Sequence, residues 1–150
     1  MSYISELRKS FGHKPLINIG ATIIVVNDKN ELLLNLRTDT DTWGIIGGGM
    51  ELGESLEQTA ARELWEESGL KARRYELLDV LSGKELYFCY PNGDETYTVA
   101  VVYKALDVYG ELKINDGESH RLQYFSLDEL PTLESRAEFV ISKLKDKILK

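Results

Sequence analysis

Residues 55–70 leave this chain little freedom in local structure. Ser55 offers a side-chain oxygen at an N-cap position and Gln58 follows three residues later, the pairing of a capping box. Gly69 sits where a left-handed residue closes a helix, with Leu70 placed to fold back on Trp65. Between them Leu56, Ala60, Ala61, Leu64 and Trp65 recur at helical spacing and predict a buried stripe. Beside that stripe stand Glu63, Glu66 and Glu67, at i, i+3 and i+4. Like charges at this spacing cost roughly a few tenths of a kcal/mol per pair. The helix dipole also disfavours carboxylates near a C-terminus. Two explanations are open on these residues alone. One is a solvated acidic patch. The other is a shared hard cation, which takes oxygen ligands beside substrate phosphates. With no cation bound, the mutual repulsion implies that Glu67→Gln stabilises the chain.

The rest of the chain reads as strands and two further helices. "SYISELRKSFG" has the pattern of a short leading helix. "LINIGATIIVV" is β-branched and apolar, "NDKN" is a turn and "ELLLNLR" a returning strand. After the polar "TDTDT", the short apolar "WGII" leads into the glycines at 47–49, which read as a glycine-rich loop. Downstream, "YELLDVLS", "ELYFCY", "YTVAVVYKAL", "ELKIN" and "RLQYFS" are strand-like, with "PNGDE" as a turn. A last helix is predicted from near Thr132, its apolar face made by Leu133, Ala137, Val140, Ile141, Leu144 and Ile148. Strands, a helix, more strands and a helix describe an α/β chain whose helices cover a mixed or antiparallel sheet. With 150 residues and no linker-like stretch, residues 1–150 are expected to form one domain.

Charge narrows the partners. With 18 Lys+Arg against 25 Asp+Glu, the net charge of −7 argues against a broad surface for duplex nucleic acid. A small phosphorylated ligand stays open, because a bound cation can supply local positive charge. Cys89 is the one cysteine, which excludes an internal disulfide. With no signal-peptide pattern at the N-terminus, this suits a cytoplasmic location. No apolar run reaches membrane-spanning length.

From Gly48 to Leu70 the chain reads GGMELGESLEQTAARELWEESGL. This resembles the Nudix box of the MutT-like hydrolase family. That box is a glycine, five residues, a glutamate, seven residues, then Arg-Glu-apolar-any-Glu-Glu-any-Gly-apolar. Gly48, Glu54, Arg62, Glu63, Leu64, Glu66, Glu67, Gly69 and Leu70 fill every specified place, over about a sixth of the chain. Where many members have proline before the glycines, this chain has Ile46. The resemblance implies an α/β/α sandwich with a mixed sheet flanked by helices. It implies a metal-dependent pyrophosphohydrolase acting on a nucleoside diphosphate linked to another group. Mg²⁺ is the implied ion, with Mn²⁺ as the alternative. The implied ligands are the Gly48 carbonyl, Glu63, Glu66 and Glu67. Glu54 and Arg62 are implied to form a salt bridge that fixes the loop against the helix. The box leaves the general base open between Glu63, Glu67 and an acid from a later loop, for which Glu118 in "NDGESHR" is the candidate. A binding or sensor domain of the same fold without turnover is the alternative, and a homodimer is compatible with either.

Other residues carry weaker signals. Glu51 is placed to support the ligands from the glycine-rich segment or to be a plain loop carboxylate. Asp94 and Glu95 read as turn residues before they read as acids. Cys89, in an apolar strand, is expected to be a buried thiol. His13 and His120 have no zinc spacing, and His120 is a candidate phosphate contact together with Arg37 and Lys84. Trp43, Tyr87, Phe88 and Tyr90 could present a face to a nucleobase. Within the family, the proline that follows the box in ADP-ribose hydrolases is replaced here by Leu86. Tyr87 falls where dinucleoside polyphosphate hydrolases carry a tyrosine.

Overall fold

The computed structural model describes residues 2–113 and 119–149, with only the backbone described for Ser119 and His120. The chain runs α1 (Tyr3–Phe11), β1 (Leu16–Ile24), β2 (Glu31–Arg37), β3 (Trp43–Gly44), β4 (Ile46–Gly49) and α2 (Leu56–Ser68). It continues with β5 (Leu70–Leu81), a 3-10 turn at Lys84–Leu86, β6 (Tyr87–Cys89), β7 (Glu95–Gly110), β8 (Ser119–Ser126) and α3 (Ser135–Ile148). The strands form two sheets. One has the order β4-β1-β7-β5, with β6 on the end of β7. It is mixed, because β1 and β7 run parallel while the other pairs are antiparallel. The second is an antiparallel β3-β2-β8 sheet.

Alternation along the strands builds two cores. Ala21, Ile23 and Val25 of the β1 segment, with Val101, Tyr103 and Ala105 of β7, pack against Ala60 and Leu64 of α2. Their neighbours Ile24, Ala100 and Val102 point the other way, to Val140, Ile141, Leu144 and Ile148 of α3. β2 divides likewise, Leu33 to the first cluster and Leu32 and Leu34 to the second. A period of two sends successive side chains to opposite faces, so buried runs such as "LLL" read as continuous apolar sequence. The result is the expected α/β/α sandwich.

Several local expectations change. The glycines at 47–49 are not a loop; with Ile46 they form β4, paired as Gly20↔Gly49, Ala21↔Gly48, Thr22↔Gly47 and Ile23↔Ile46. Ile46 is fully buried, so the residue found in place of proline is a core residue. β5 begins directly after Gly69, and "YELLDVLS" covers only its later part and one residue beyond, because pairing with β7 carries the charged "KARR" stretch into the sheet. Within "ELKIN", residues 111–113 are not in a strand and 114–115 lie outside the described residues. α3 starts at Ser135 instead of near Thr132. Trp43 N–H donates to Thr132 O (3.0 Å) and Glu134 N–H to Trp43 O (2.8 Å), so this segment is tied to β3 before the Glu134 side chain caps the helix. Cys89 is exposed, because β6 has three residues and a partner on one side only. No described helix is long and apolar enough to cross a membrane.

Candidate active site

α2 starts and stops as its sequence dictates. Ser55 Oγ accepts from Gln58 N–H at 3.1 Å, and Gln58 Oε1 accepts from Ser55 N–H at 2.8 Å. Gly69 closes the helix at φ 74°, its N–H on Trp65 O. A side chain at that φ would be strained. The buried face differs from the predicted stripe. Ala61 and Trp65 are exposed, and the face is Thr59, Ala60, Leu64, Glu67 and Ser68. Glu67 therefore lies in the stripe, not beside it. It is 7% exposed, with Oε1 accepting from Asn35 Nδ2 at 2.8 Å and Oε2 from Gly47 N–H at 2.9 Å. A hydrophobicity pattern cannot reveal this, since the burial of Glu67 depends on donors supplied by β2 and β4.

Arg62 organises the remaining carboxylates. Its Nε donates to Glu54 Oε2 at 2.6 Å and its Nη2 to Glu54 Oε1 at 3.0 Å, a forked pair. Nη2 also donates to the Gly49 carbonyl at 2.9 Å. Nη1 reaches Glu63 Oε1 at 2.8 Å and Glu66 Oε2 at 3.4 Å. One guanidinium thus bridges the loop before α2, the end of β4 and two carboxylates of the helix. A Cβ at Gly48 would meet the Glu63 carboxylate, which would have to swing aside. Arg62 holds the Glu54 carboxyl down at about 2.

Glu63 is displaced the other way. Burial pushes its carboxyl up to about 7; the Arg62 charge pulls against that shift and the Glu66 charge adds to it. A folded-state value above the ordinary 4.5 means that the folded chain binds this proton more tightly than the unfolded chain. Stability from this group is present below pH 4.5 and is lost as the pH rises through about 7. Melting temperatures of the metal-free protein should therefore fall between pH 5 and pH 8, and Glu63→Gln should flatten the fall. A wild-type profile already flat across that window would contradict the assignment.

Among the described residues, no three His, Cys, Asp or Glu side chains converge closely enough to hold a metal ion as they stand. The hydrogen bonds give the reason. Arg62 engages Glu63 and Glu66, while Asn35 and Gly47 N–H engage Glu67. The chemistry of the donor set nonetheless fits a hard cation. Glu63, Glu66, Glu67 and the β4 backbone offer oxygen ligands only, and burial, with the Glu66 charge beside it, makes an ionised Glu63 costly although Arg62 opposes it. These groups line a cleft of ≈ 940 Å³ together with Asn18, Asn35, Arg37 and Tyr90.

The remaining candidates separate clearly. Arg37 lines the cleft, held by Asp39 through bonds of 2.9 and 2.7 Å. Glu51 also lines it, but its carboxylate accepts from Tyr3 N–H at 2.9 Å and so ties α1 to the β4–α2 loop. Asp94 is bound to His13 at 2.6 Å, and Glu95 accepts from the Tyr87 hydroxyl at 2.5 Å, so both are spent away from the carboxylates. Lys84 does not line the cleft. Trp43 packs edge-on against Phe125 at 4.8 Å. Glu118 lies outside the described residues, as does the His120 side chain. Asn35 is the residue that sequence reading missed. An asparagine inside "LLLNLR" was the available signal, since a buried amide needs a partner.

The geometry has counterparts in known proteins. Residues 17–145 match the model of the NUDIX domain family. A MutT-like protein of Streptomyces ambofaciens is 34% identical over 85 residues, 53% of this chain and 55% of that protein. The match therefore spans about half of that relative's length. An ADP-ribose pyrophosphatase of Methanocaldococcus jannaschii is 32% identical over 121 residues, 78% of this chain and 67% of the relative. The crystal structure of a MutT NUDIX hydrolase from Burkholderia pseudomallei superposes with a TM-score of 0.72 at 28% identity, covering 86% of this chain and 98% of that one. The matched span takes in both sheets, α2 and most of α3, and this chain belongs to the NUDIX domain family.

Proposed function

We propose that this protein is a metal-dependent pyrophosphohydrolase that cleaves a nucleoside diphosphate linked to another group. The observation that carries this reading is that Glu63, Glu66 and Glu67 line one large cleft, the first two bonded by Arg62 and the third by Asn35 and Gly47 N–H. A relative named for pyrophosphatase activity on ADP-ribose supports the reaction class. Gly48, Glu63, Glu66 and Glu67 would hold Mg²⁺, or Mn²⁺ in its place. The ion would supply charge neutralisation on the phosphoryl oxygens and the leaving group.

The chain's own groups do the rest. Glu67, oriented by two donors, is the first candidate to take the proton of an attacking water. Glu63 is the second candidate base among the described residues, and Glu118 keeps its candidacy from the sequence. Arg62 and Glu54 act by position, locking β4 and its following loop onto α2. The cleft is the place for the diphosphate, with Arg37 at its wall available to a phosphate that displaces Asp39.

A binding or sensor domain is the second reading, favoured by the hold that Arg62 and Asn35 keep on the carboxylates. One assay separates the two. Nucleoside di- and triphosphates, dinucleoside polyphosphates, ADP-ribose and nucleotide sugars are incubated with Mg²⁺ or Mn²⁺, with and without EDTA. Hydrolysis of at least one compound, stopped by EDTA, is the expected result. Tight binding with no turnover of any compound would support the sensor, and turnover undiminished by excess chelator would sink the metal assignment.

A further inference from the structure

A second space of ≈ 150 Å³ joins the main cleft, sharing Asn18, Arg37, Tyr90 and the glycines at 47–49 with it. It lies on the α3 side of the first sheet, where Ile45, Leu86, Ala100 and Val140 give it apolar walls. Its volume equals that of about five waters in the liquid, room for one ring system and not for a whole nucleotide. Into this space, whose lining also includes Asn18, Thr98 and Glu134, α3 sets a guanidinium, that of Arg136.

That guanidinium is held from several sides. It lies 4.0 Å from the Phe88 ring centroid and 5.6 Å from that of Tyr90. Nε donates to Glu134 Oε1 at 2.8 Å, and Nη1 makes a long contact of 3.4 Å with Thr98 Oγ1. Nη2 has no hydrogen bond to the described residues. Glu134 balances the charge and is itself fixed, since it caps α3 by accepting from Arg136 N–H and Ala137 N–H. With charge balanced, what the pocket retains is direction: the outer edge of a planar fork, carrying N–H donors only.

We propose that Arg136 is a specificity-determining residue and that this pocket takes the base of the substrate, preferring a 6-oxopurine to adenine. O6 and N7 of a 6-oxopurine are both acceptors and match such a fork in a bidentate pair. Adenine replaces O6 with an amino group and sets donor against donor. The inference rests on the hydrolase reading of the cleft, which places the diphosphate next to the pocket.

The test compares ITP with ATP, whose bases differ in the group at position 6 and in the proton on N1, and which share the sugar and the triphosphate. Wild type should show kcat/KM at least about tenfold higher for ITP. Arg136→Gln should bring the ratio close to one by lowering the value for ITP and leaving that for ATP little changed. Arg136→Lys, which keeps the charge and loses the fork, should fall between. Equal kcat/KM for the two nucleotides in wild type overturns the inference and leaves the hydrolase reading intact. Equal losses for both in Arg136→Gln make Arg136 structural and also overturn it. If that variant does not fold, the wild-type ratio and Arg136→Lys decide. If no nucleotide is cleaved, the hydrolase reading fails, and calorimetric binding of IDP against ADP decides the inference by the same preference; absence of binding by both overturns it.

Discussion

Replacing Arg62 with alanine should lower turnover by about a hundredfold or more. Its guanidinium bonds Glu54 twice, the Gly49 carbonyl once, and Glu63 and Glu66 from one nitrogen. Loss of that bridge frees β4 and its loop from α2, and displacements on the order of 1 Å at such a site cost about 10²-fold. Glu63 and Glu66 also lose their counter-ion and repel each other. Stability should fall by about 2 kcal/mol, the size expected for charge-assisted hydrogen bonds in a partly buried setting. Arg62→Lys keeps the charge but cannot span both Glu54 oxygens, so it should recover only part of the activity. Glu54→Gln should do similar, lesser damage. If Arg62 and Glu54 act as one unit, the double variant is no worse than Arg62→Ala alone. Fully additive losses would mean that the two residues do separate jobs.

The second large effect distinguishes two glutamates that look equivalent in sequence. From charge spacing alone, Glu67→Gln should stabilise the metal-free protein. The structure reverses that sign. Glu67 accepts from Asn35 Nδ2 and Gly47 N–H, so an amide would set its NH₂ group against one of those donors. The unsatisfied buried group costs about 1–3 kcal/mol. Glu63 is the opposite case. Burial leaves its carboxyl near 7, so a neutral glutamine of the same shape relieves a penalty above that pH. Thermal melts at pH 8 without metal should therefore rank Glu63→Gln above wild type and wild type above Glu67→Gln. Both variants should lose turnover by about 10²-fold or more, one through the metal site and one through the proposed base. A stabilised Glu67→Gln would show that its two donors do not matter, and with them the reading of Asn35.

What could be read from sequence was what is local. The capping box, the left-handed Gly69 and the apolar face of α3 depend on neighbours within a turn or two, and all three are present in the structure. The Glu54–Arg62 pair was legible through the box that contains it. Features that depend on distant partners were not. Glycine has no strand preference, so only pairing with β1 makes the glycines at 47–49 a strand. Trp65 reads as core by type, yet its position one residue from Leu64 turns it some 100° away from the sheet and into solvent. The division of the strands into two sheets also left no mark in periodicity, because a buried strand alternates in the same way in either.

The central claim is that the carboxylates of α2 form a cation site whose repulsion the folded chain tolerates until a metal binds. Calorimetric titration of Mn²⁺ into metal-free protein near pH 6.5, in two buffers of different ionisation enthalpy, reads both binding and proton release. Since Glu63 holds its proton up to about 7, metal binding should expel it into the buffer. Saturable binding with proton release is expected in wild type, and Glu63→Gln should lose the release and most of the affinity. No binding, or binding with the same affinity and the same proton release in Glu63→Gln, would contradict the claim.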